Sequence, residues 1–371
     1  MPIKAHGTLS LPDLALELNA VDILGPAMTL KPGCGEVLWC NHSSLLQQRI
    51  YQWQNPSKDI CDTRAKYLIY DPLNYGIGSM VHIAATALSL AICTGRILYL
   101  PYKSSPNNRA WAPADCKSTT LSCYFKDVTS CVLSPKQQEG IPELNITNWK
   151  LLADVRYVKI KDGSLPSGPC TFCTNNEQFP LFAEISEKDA YTGSEAPLMA
   201  QLVRYLLRPQ PWFQRKIELF IEKQNLPLLM RPFASMHVRY GDKVSEAPRM
   251  PLASYMDILR THRPDVRTVF LSTETASVIS ELIRSYPDYS FKSFNYSRIE
   301  TTVAGIRGAV ANNNEFIASF ANLVVAIQAN FFVGSLSSNW CRLIHELERT
   351  RGDGGFEYLS VDGSQYSRCF R

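Results

Sequence analysis

Residues 237–246 read His-Val-Arg-Tyr-Gly-Asp-Lys-Val-Ser-Glu, and no other stretch of the chain gathers so many side chains able to do chemistry. Arg239 is a permanent planar cation suited to phosphate oxygens, Asp242 and Glu246 are acids, and Lys243 is a titratable amine. Together they form a kit for handling an anionic, phosphorylated substrate; the alternative is a solvated loop whose charges pair with one another. The stretch follows a short apolar run ending Phe-Ala-Ser-Met236, so His237, Arg239, Asp242, Lys243 and Glu246 are expected at or just beyond the carboxyl end of a β-strand. Open α/β sheets bind ligands there.

Other junctions offer complementary groups. Gly76-Ile-Gly78 lies between a strand candidate and a helix N-terminus, where small residues let backbone N–H groups approach an anion and the helix dipole adds favourable charge. The same turn is equally explained by a need for positive φ. His82, one turn further on, can reach that cleft or serve as a satisfied core residue. Ser337 and Ser338 stand where a helix N-cap belongs, which allows simple capping, phosphate binding, or both. Ser272-Thr-Glu274 ends another strand, and Asn322 sits amid apolar neighbours on a helix; both are placed to hydrogen-bond a nucleotide base. Asp-x-Asp, His-Glu-x-x-His and the Gly-x-x-x-x-Gly-Lys-Ser/Thr loop are all missing, so no metal site is expected and Arg239 with backbone amides would neutralise a leaving phosphate.

The elements that must position these groups follow from periodicity. A first α/β unit runs from strand 66–70 through the glycine turn into an apolar helix, Met80 to Cys93, and on to strand 96–100. Residues 101–195 are rich in Pro, Ser, Asn and Cys and read as long loops on the acceptor side. Phe213, Ile217, Phe220 and Ile221 mark an amphipathic helix from Gln210. Strand 233–238, helix 251–260, strand 268–272, helix 276–285, strand 289–292, helix 313–328, strand 331–334 and helix 339–350 then alternate, which implies a doubly wound, mostly parallel sheet. The expected organisation is an unassigned extension over 1–60, an N-terminal α/β domain over 61–228 and a Rossmann-like domain over 229–371.

Composition narrows the function classes. The chain has 371 residues, 45% hydrophobic and 19% charged, enough for two domains with sizeable cores. A net charge of +4 with Lys and Arg interspersed among acids disfavours nucleic acid as a partner. No window reaches about 18 uninterrupted apolar residues and the N-terminus lacks a signal-peptide core, so the chain as given reads as soluble. Eleven cysteines and sequons at Asn41, Asn145 and Asn295 are compatible with a secretory lumen. Cys116, Cys123 and Cys131 cluster in the loop-rich stretch, and the lone Cys170-Thr-Phe-Cys173 favours a loop disulfide or free thiols over zinc.

Taken together, 237–246, Gln201 to Trp212, Tyr70 to Leu98, Val269-Phe-Leu-Ser-Thr, Tyr286-Pro-Asp-Tyr and Gly334 to Glu346 with its Ser-Ser-x-x-Cys-Arg resemble the catalytic core of the α-1,6-fucosyltransferases. These enzymes transfer fucose from GDP-fucose to the innermost GlcNAc of N-glycans. The likeness covers roughly 60–100 and 200–350 and extends more distantly to nodulation and protein O-fucosyltransferases. It implies a GT-B-like fold of two Rossmann-like α/β domains and an inverting, metal-independent transferase with GDP-fucose as donor and no cofactor. It further implies that Arg239 grips the β-phosphate, Ser337 and Ser338 flank the diphosphate, His237 and Asn322 face the guanine, and Tyr255 shapes the pocket. Asp242, Glu274, Gly76 and Gly78 complete the donor set. Glu246 would be the general base, with Lys243 as its relay or electrostatic partner.

The chain also departs from that pattern. Asn322 stands where the family has an aspartate, Tyr240 replaces a second arginine, and Glu274 falls at an aspartate position. The motif is one residue shorter between Lys243 and Glu246, and the family's disulfide partner of Cys341 is Gly334 here. The family's N-terminal coiled coil, anchor and C-terminal SH3-like domain are not expected within these 371 residues. The same fold using another nucleotide sugar, or an acceptor other than an N-glycan, is therefore the second expectation, and a non-catalytic glycan-binding module the third. The compartment expected is the Golgi lumen if an anchor was removed and the cytoplasm if the chain is complete.

Overall fold

The computed structural model describes residues 45–71, 76–101, 121–144, 152, 154–160, 196–224, 229, 232–240, 248–296, 314–350 and 357–363. Within them lie two all-parallel sheets. The first is built by β1 (Tyr67–Ile69), β2 (Ile97–Tyr99), β3 (Glu143–Leu144) and β4 (Tyr157–Ile160), in the order β2-β1-β4-β3. Helix α3 (Ile77–Cys93) crosses from β1 to β2 and is apolar nearly all round, as a helix enclosed by other elements must be. It ends where Gly95 adopts a φ of +66°, with Gly95 N–H donating to Ile92 O and Arg96 N–H to Ala91 O. This left-handed cap satisfies the last carbonyls and turns the chain into β2.

Before this unit stand α1 (Leu45–Gln54), inside the stretch that periodicity leaves unassigned, and α2 (Lys58–Thr63), which straddles its end. Ile50 is fully buried, Trp53 Nε1 donates to Arg96 O at 2.8 Å, and the Gln54 amide brackets Leu98, donating to its carbonyl and accepting from its N–H. Arg96 is itself buried and donates to the carbonyls of Val155 (2.7 Å) and Leu152 (2.5 Å), which ties the approach to β4 onto the sheet. Burial lowers its pKa to about 10. Cys131 pairs not with a neighbour in its own cysteine cluster but with Cys61, 70 residues away, across a small core with Tyr67 and Ile69.

The second sheet is built by β5 (Ala234–Val238), β6 (Thr268–Thr273), β7 (Ser290–Lys292), β8 (Phe331–Gly334) and β9 (Glu357–Ser360), in the order β7-β6-β5-β8-β9. The chain steps outward from β5 to β7, then returns to the other side of β5 to lay down β8 and β9. The switch point of this doubly wound sheet is therefore the β5/β8 pair. Alternation sorts the side chains: Ala234, Met236 and Val238 join one core with α6 (Leu252–His262) and α7 (Ala276–Ser285). Phe270 and Phe332 point to the opposite face and join the core that contains α8 (Asn314–Ala326) and α9 (Asn339–Arg349).

That second core is shared by both sheets. Helix α4 (Ala196–Leu206) packs on both α3 and α9, and α5 (Pro211–Lys223) packs on α8. Phe213, Phe316, Phe320 and Tyr124 form one aromatic cluster, with the Tyr124 and Phe316 rings stacked at 4.0 Å. The two halves also share a buried polar contact, His82 Nε2 to Glu346 Oε2 at 2.9 Å, between α3 and α9.

Two consequences for stability are measurable. Replacing Cys61 and Cys131 by serine frees a long loop of the unfolded chain, and a loss of about 2–4 kcal/mol is expected in urea unfolding. Separately, burial holds His345 neutral and lowers its pKa from 6.5 to about 3, and His237 behaves alike. Because both folded values lie below the unfolded one, their contribution is complete above pH 6.5 and is lost as pH falls, since the unfolded chain then binds the extra protons. Unfolding free energy should drop between pH 7 and 5 by up to about 2 kcal/mol per histidine, and His345→Gln should halve that slope.

Candidate active site

Arg239 is the first residue beyond β5 and Ser335 the first beyond β8, so the two central strands deliver them side by side at the switch point. Their connections leave in opposite directions, which opens a crevice at the carboxyl edge of the sheet. Arg239 is partly buried and its Nη1 lies 3.1 Å from Glu274 Oε1, just beyond the end of β6. The neighbouring strand end thus aims the guanidinium, a group able to hold two phosphate oxygens at once.

The serine turn between β8 and α9 is ordered from an unexpected side. Ser338 occupies the N-cap of α9, yet its side chain makes no capping bond, so plain serine capping is corrected. Instead the Asp362 carboxylate, two residues beyond β9, accepts from the Ser335 hydroxyl and from the Ser337 N–H at 3.1 Å. Ser360 Oγ accepts from Leu336 N–H at 2.9 Å, and the Ser335 and Ser337 hydroxyls lie 2.7 Å apart. Arg342 closes the turn from α9, its Nε donating to Leu336 O at 2.6 Å. Ser360 and Asp362 were not foreseen from sequence; the only local signal is the Asp362-Gly363 pair after a short strand, with Gly363 at φ +67°.

The glycine turn meets this serine turn directly. Gly76 has a φ of −57° and Gly78 is not at positive φ either, so the conformational explanation of the pair is set aside. What Gly78 provides is proximity: a Cβ there would stand 3.0 Å from Asn339, at the first residue of α9. Asn339 Nδ2 donates to Ser79 Oγ at 2.7 Å. The N-termini of α3, one turn earlier than its expected start at Met80, and of α9 therefore converge, and their positive dipole ends with them.

Beneath the crevice, the expected base-facing groups are engaged by the protein. His237 points to the α9 side of β5, with Nδ1 3.1 Å from Cys341 Sγ; burial and then Arg239 push its pKa down to about 3, so the ring is neutral. Cys341 is a free thiol that burial pushes up to about 12. A Cβ on Gly334 would stand 2.9 Å from its sulfur, so position 334 is where a pairing cysteine would sit, and His237 contacts that sulfur instead. Asn322 is buried, its Oδ1 accepting from Ser272 Oγ at 3.0 Å and its Nδ2 donating to Ala318 O at 2.8 Å. Tyr255 is buried under the same end of the sheet, and burial raises its phenol pKa. Tyr240 donates to Met250 O at 2.6 Å and lies under Arg249. Asp242, Lys243 and Glu246 lie outside the described residues. The structure thus brings Arg239, Glu274, Ser335–Ser338, Gly78 and Asp362 to one edge and sets His237, Asn322 and Tyr255 below it.

Residues 190–366 match the family model for the N- and catalytic domains of alpha-(1,6)-fucosyltransferase. The chain is 25% identical to the alpha-(1,6)-fucosyltransferase of Drosophila melanogaster over 338 residues, covering 87% of this chain and 50% of that protein. It is 27% identical to the Caenorhabditis elegans alpha-(1,6)-fucosyltransferase over 374 aligned positions, covering 95% of this chain and 62% of that one. The chain therefore spans about half to three fifths of the length of these relatives. Among solved structures it is similar to Arabidopsis thaliana FUT1 in complex with GDP, at 12% identity and a TM-score of 0.47, covering 83% of this chain and 74% of that one. By sequence, residues 190–366 resemble the catalytic domain of the alpha-(1,6)-fucosyltransferases, and the wider chain is similar to two such proteins.

Proposed function

We propose that the chain is a glycosyltransferase that moves fucose from GDP-fucose to a glycan acceptor with inversion and without a metal ion. The observation that carries this is the placement of Arg239 and the Ser335–Ser338 turn on adjacent strand ends at the β5/β8 switch point, with the N-termini of two helices converging at the turn. Fucosyl transfer from a nucleotide sugar breaks the bond to a diphosphate, so the site must stabilise charge developing on that leaving group. Arg239, oriented by Glu274, would meet the β-phosphate, and backbone amides at the helix N-termini would meet the remaining oxygens. On the acceptor side, Glu246 would remove the hydroxyl proton as the sugar transfers, with Lys243 beside it. His237, Asn322 and Tyr255 would support the base-binding floor through their own buried contacts.

The Cys61–Cys131 disulfide and the exposed Asn295 sequon favour an oxidising secretory lumen as the working compartment, in keeping with a Golgi glycosylation enzyme. A second donor is favoured by one observation: the neutral Asn322 amide is engaged by Ser272 and Ala318 and offers no charged grip on guanine. A thermal-shift panel of GDP and UDP sugars separates the two, because the bound nucleotide alone raises the midpoint.

Purified protein incubated with GDP-fucose, a glycan panel and EDTA should form fucosylated product. Arg239→Ala should weaken GDP binding by about tenfold to a hundredfold, the loss of a charge-assisted contact, and abolish transfer; full activity of that variant would remove the diphosphate role. Glu246→Gln should reduce kcat by about 10²–10⁴ while GDP affinity stays close to that of the unaltered protein, and an unchanged kcat would exclude Glu246 as the base.

A further inference from the structure

The hydrogen-bond donors at the proposed diphosphate position already hold an anion that belongs to the chain itself. Asp362 Oδ2 accepts from the Ser337 N–H and the Ser335 hydroxyl, and Oδ1 accepts from the Ser360 hydroxyl at 2.5 Å. A backbone N–H and two hydroxyls converging on one carboxylate are the donor types that enclose a phosphate oxygen. The carboxylate is held there by the sheet: β9 pairs along β8, and Val361 N–H donates to Gly334 O at 2.9 Å immediately before it. It is half-buried, and its field reaches Tyr255 and Cys341, the groups under the crevice, as that of Arg239 reaches Cys341.

We propose that Asp362 is an internal stand-in for a phosphate oxygen: its carboxylate takes the donors of the serine turn and must yield them for a nucleoside diphosphate to bind there. The proposal rests on the donor-site assignment above and specifies what sets affinity there. The Ser337 N–H points at one acceptor, so the carboxylate and a phosphate oxygen compete for it. A fixed negative charge at contact distance also opposes a dianionic ligand. Asp362 thereby keeps the turn ordered and its donors satisfied, while weakening the hold on the diphosphate that must leave after transfer.

The test is calorimetric titration of the full chain with inorganic pyrophosphate and, separately, with GDP. Asp362→Asn should bind pyrophosphate roughly fivefold tighter or more, the effect of removing one like charge at contact range, with the gain shrinking at high salt. Asp362→Ser, also neutral but smaller, serves as the second variant should the amide disturb folding, and near-UV circular dichroism reports whether each is native. Asp362→Glu keeps the charge and should show no gain. Equal or weaker pyrophosphate binding by the folded neutral variants overturns the proposal and makes Asp362 a support for ligand binding instead. If the neutral variants gain for pyrophosphate while neither they nor the unaltered protein binds GDP, the inference about Asp362 stands and the GDP-fucose assignment fails.

Discussion

The arrangement turns on one close approach, between the first turn of α3 and the first turn of α9. Gly78 has no Cβ, and any larger residue would press within 3.0 Å of the Asn339 backbone and force the helices apart. Everything that joins the two sheets on this side follows from that spacing. Asn339 reaches Ser79, and four residues beyond Gly78, His82 reaches Glu346. Glu346 is fully sealed from solvent, and a carboxylate so placed is tolerated only with a partner at good geometry, so the His82 contact and the helix spacing require one another. Helix α4 then fills the groove that α3 and α9 form together.

A second constraint is the parity of the strands. In a parallel sheet covered on both faces, successive side chains enter different cores. Met236 and Val238 go to the α6/α7 side, and His237 goes to the α9 side, where the only way to bury an imidazole cheaply is to keep it neutral and give it a contact, here Cys341. Arg239 escapes this rule because the strand has ended. Strand termination, more than residue order within 237–246, thus separates a buried structural histidine from a half-buried cation at the crevice. Position 334 obeys the same geometry from β8: with glycine there, the thiol beside it stays unpaired with another cysteine and rests against His237.

Much of this frame can be read from local pattern. Phe213, Ile217, Phe220 and Ile221 recur at helical spacing and the helix runs Pro211–Lys223; the apolar β-branched run after Arg267 is the strand Thr268–Thr273. Such elements are legible because their apolar periodicity records one buried face. Elements with no such local signal bury themselves through distant partners. Helix α1 lies in a Pro-, Gly- and Asn-rich region and is held by Trp53 and Gln54 contacting residues more than forty positions away. Helix α3, read from the sequence as Met80 to Cys93 after a glycine turn, begins at Ile77, and Gly78 lies inside its first turn, where α9 needs the room.

The site divides along the same line. Residue type and strand-end position suffice to nominate Arg239, the serine turn and the Gly76/Gly78 turn, because charge, hydroxyl content and small size are properties of the residues themselves. Which groups face one another is a matter of sheet order and helix spacing, and these depend on contacts between residues far apart in the chain. Only folding brings Glu274 onto Arg239, points His237 and Asn322 into the core, and sets Asp362 against Ser337 from 25 residues away. Composition and local periodicity carry no term for such pairings, since each depends on where a second strand ends and how closely two helices can meet.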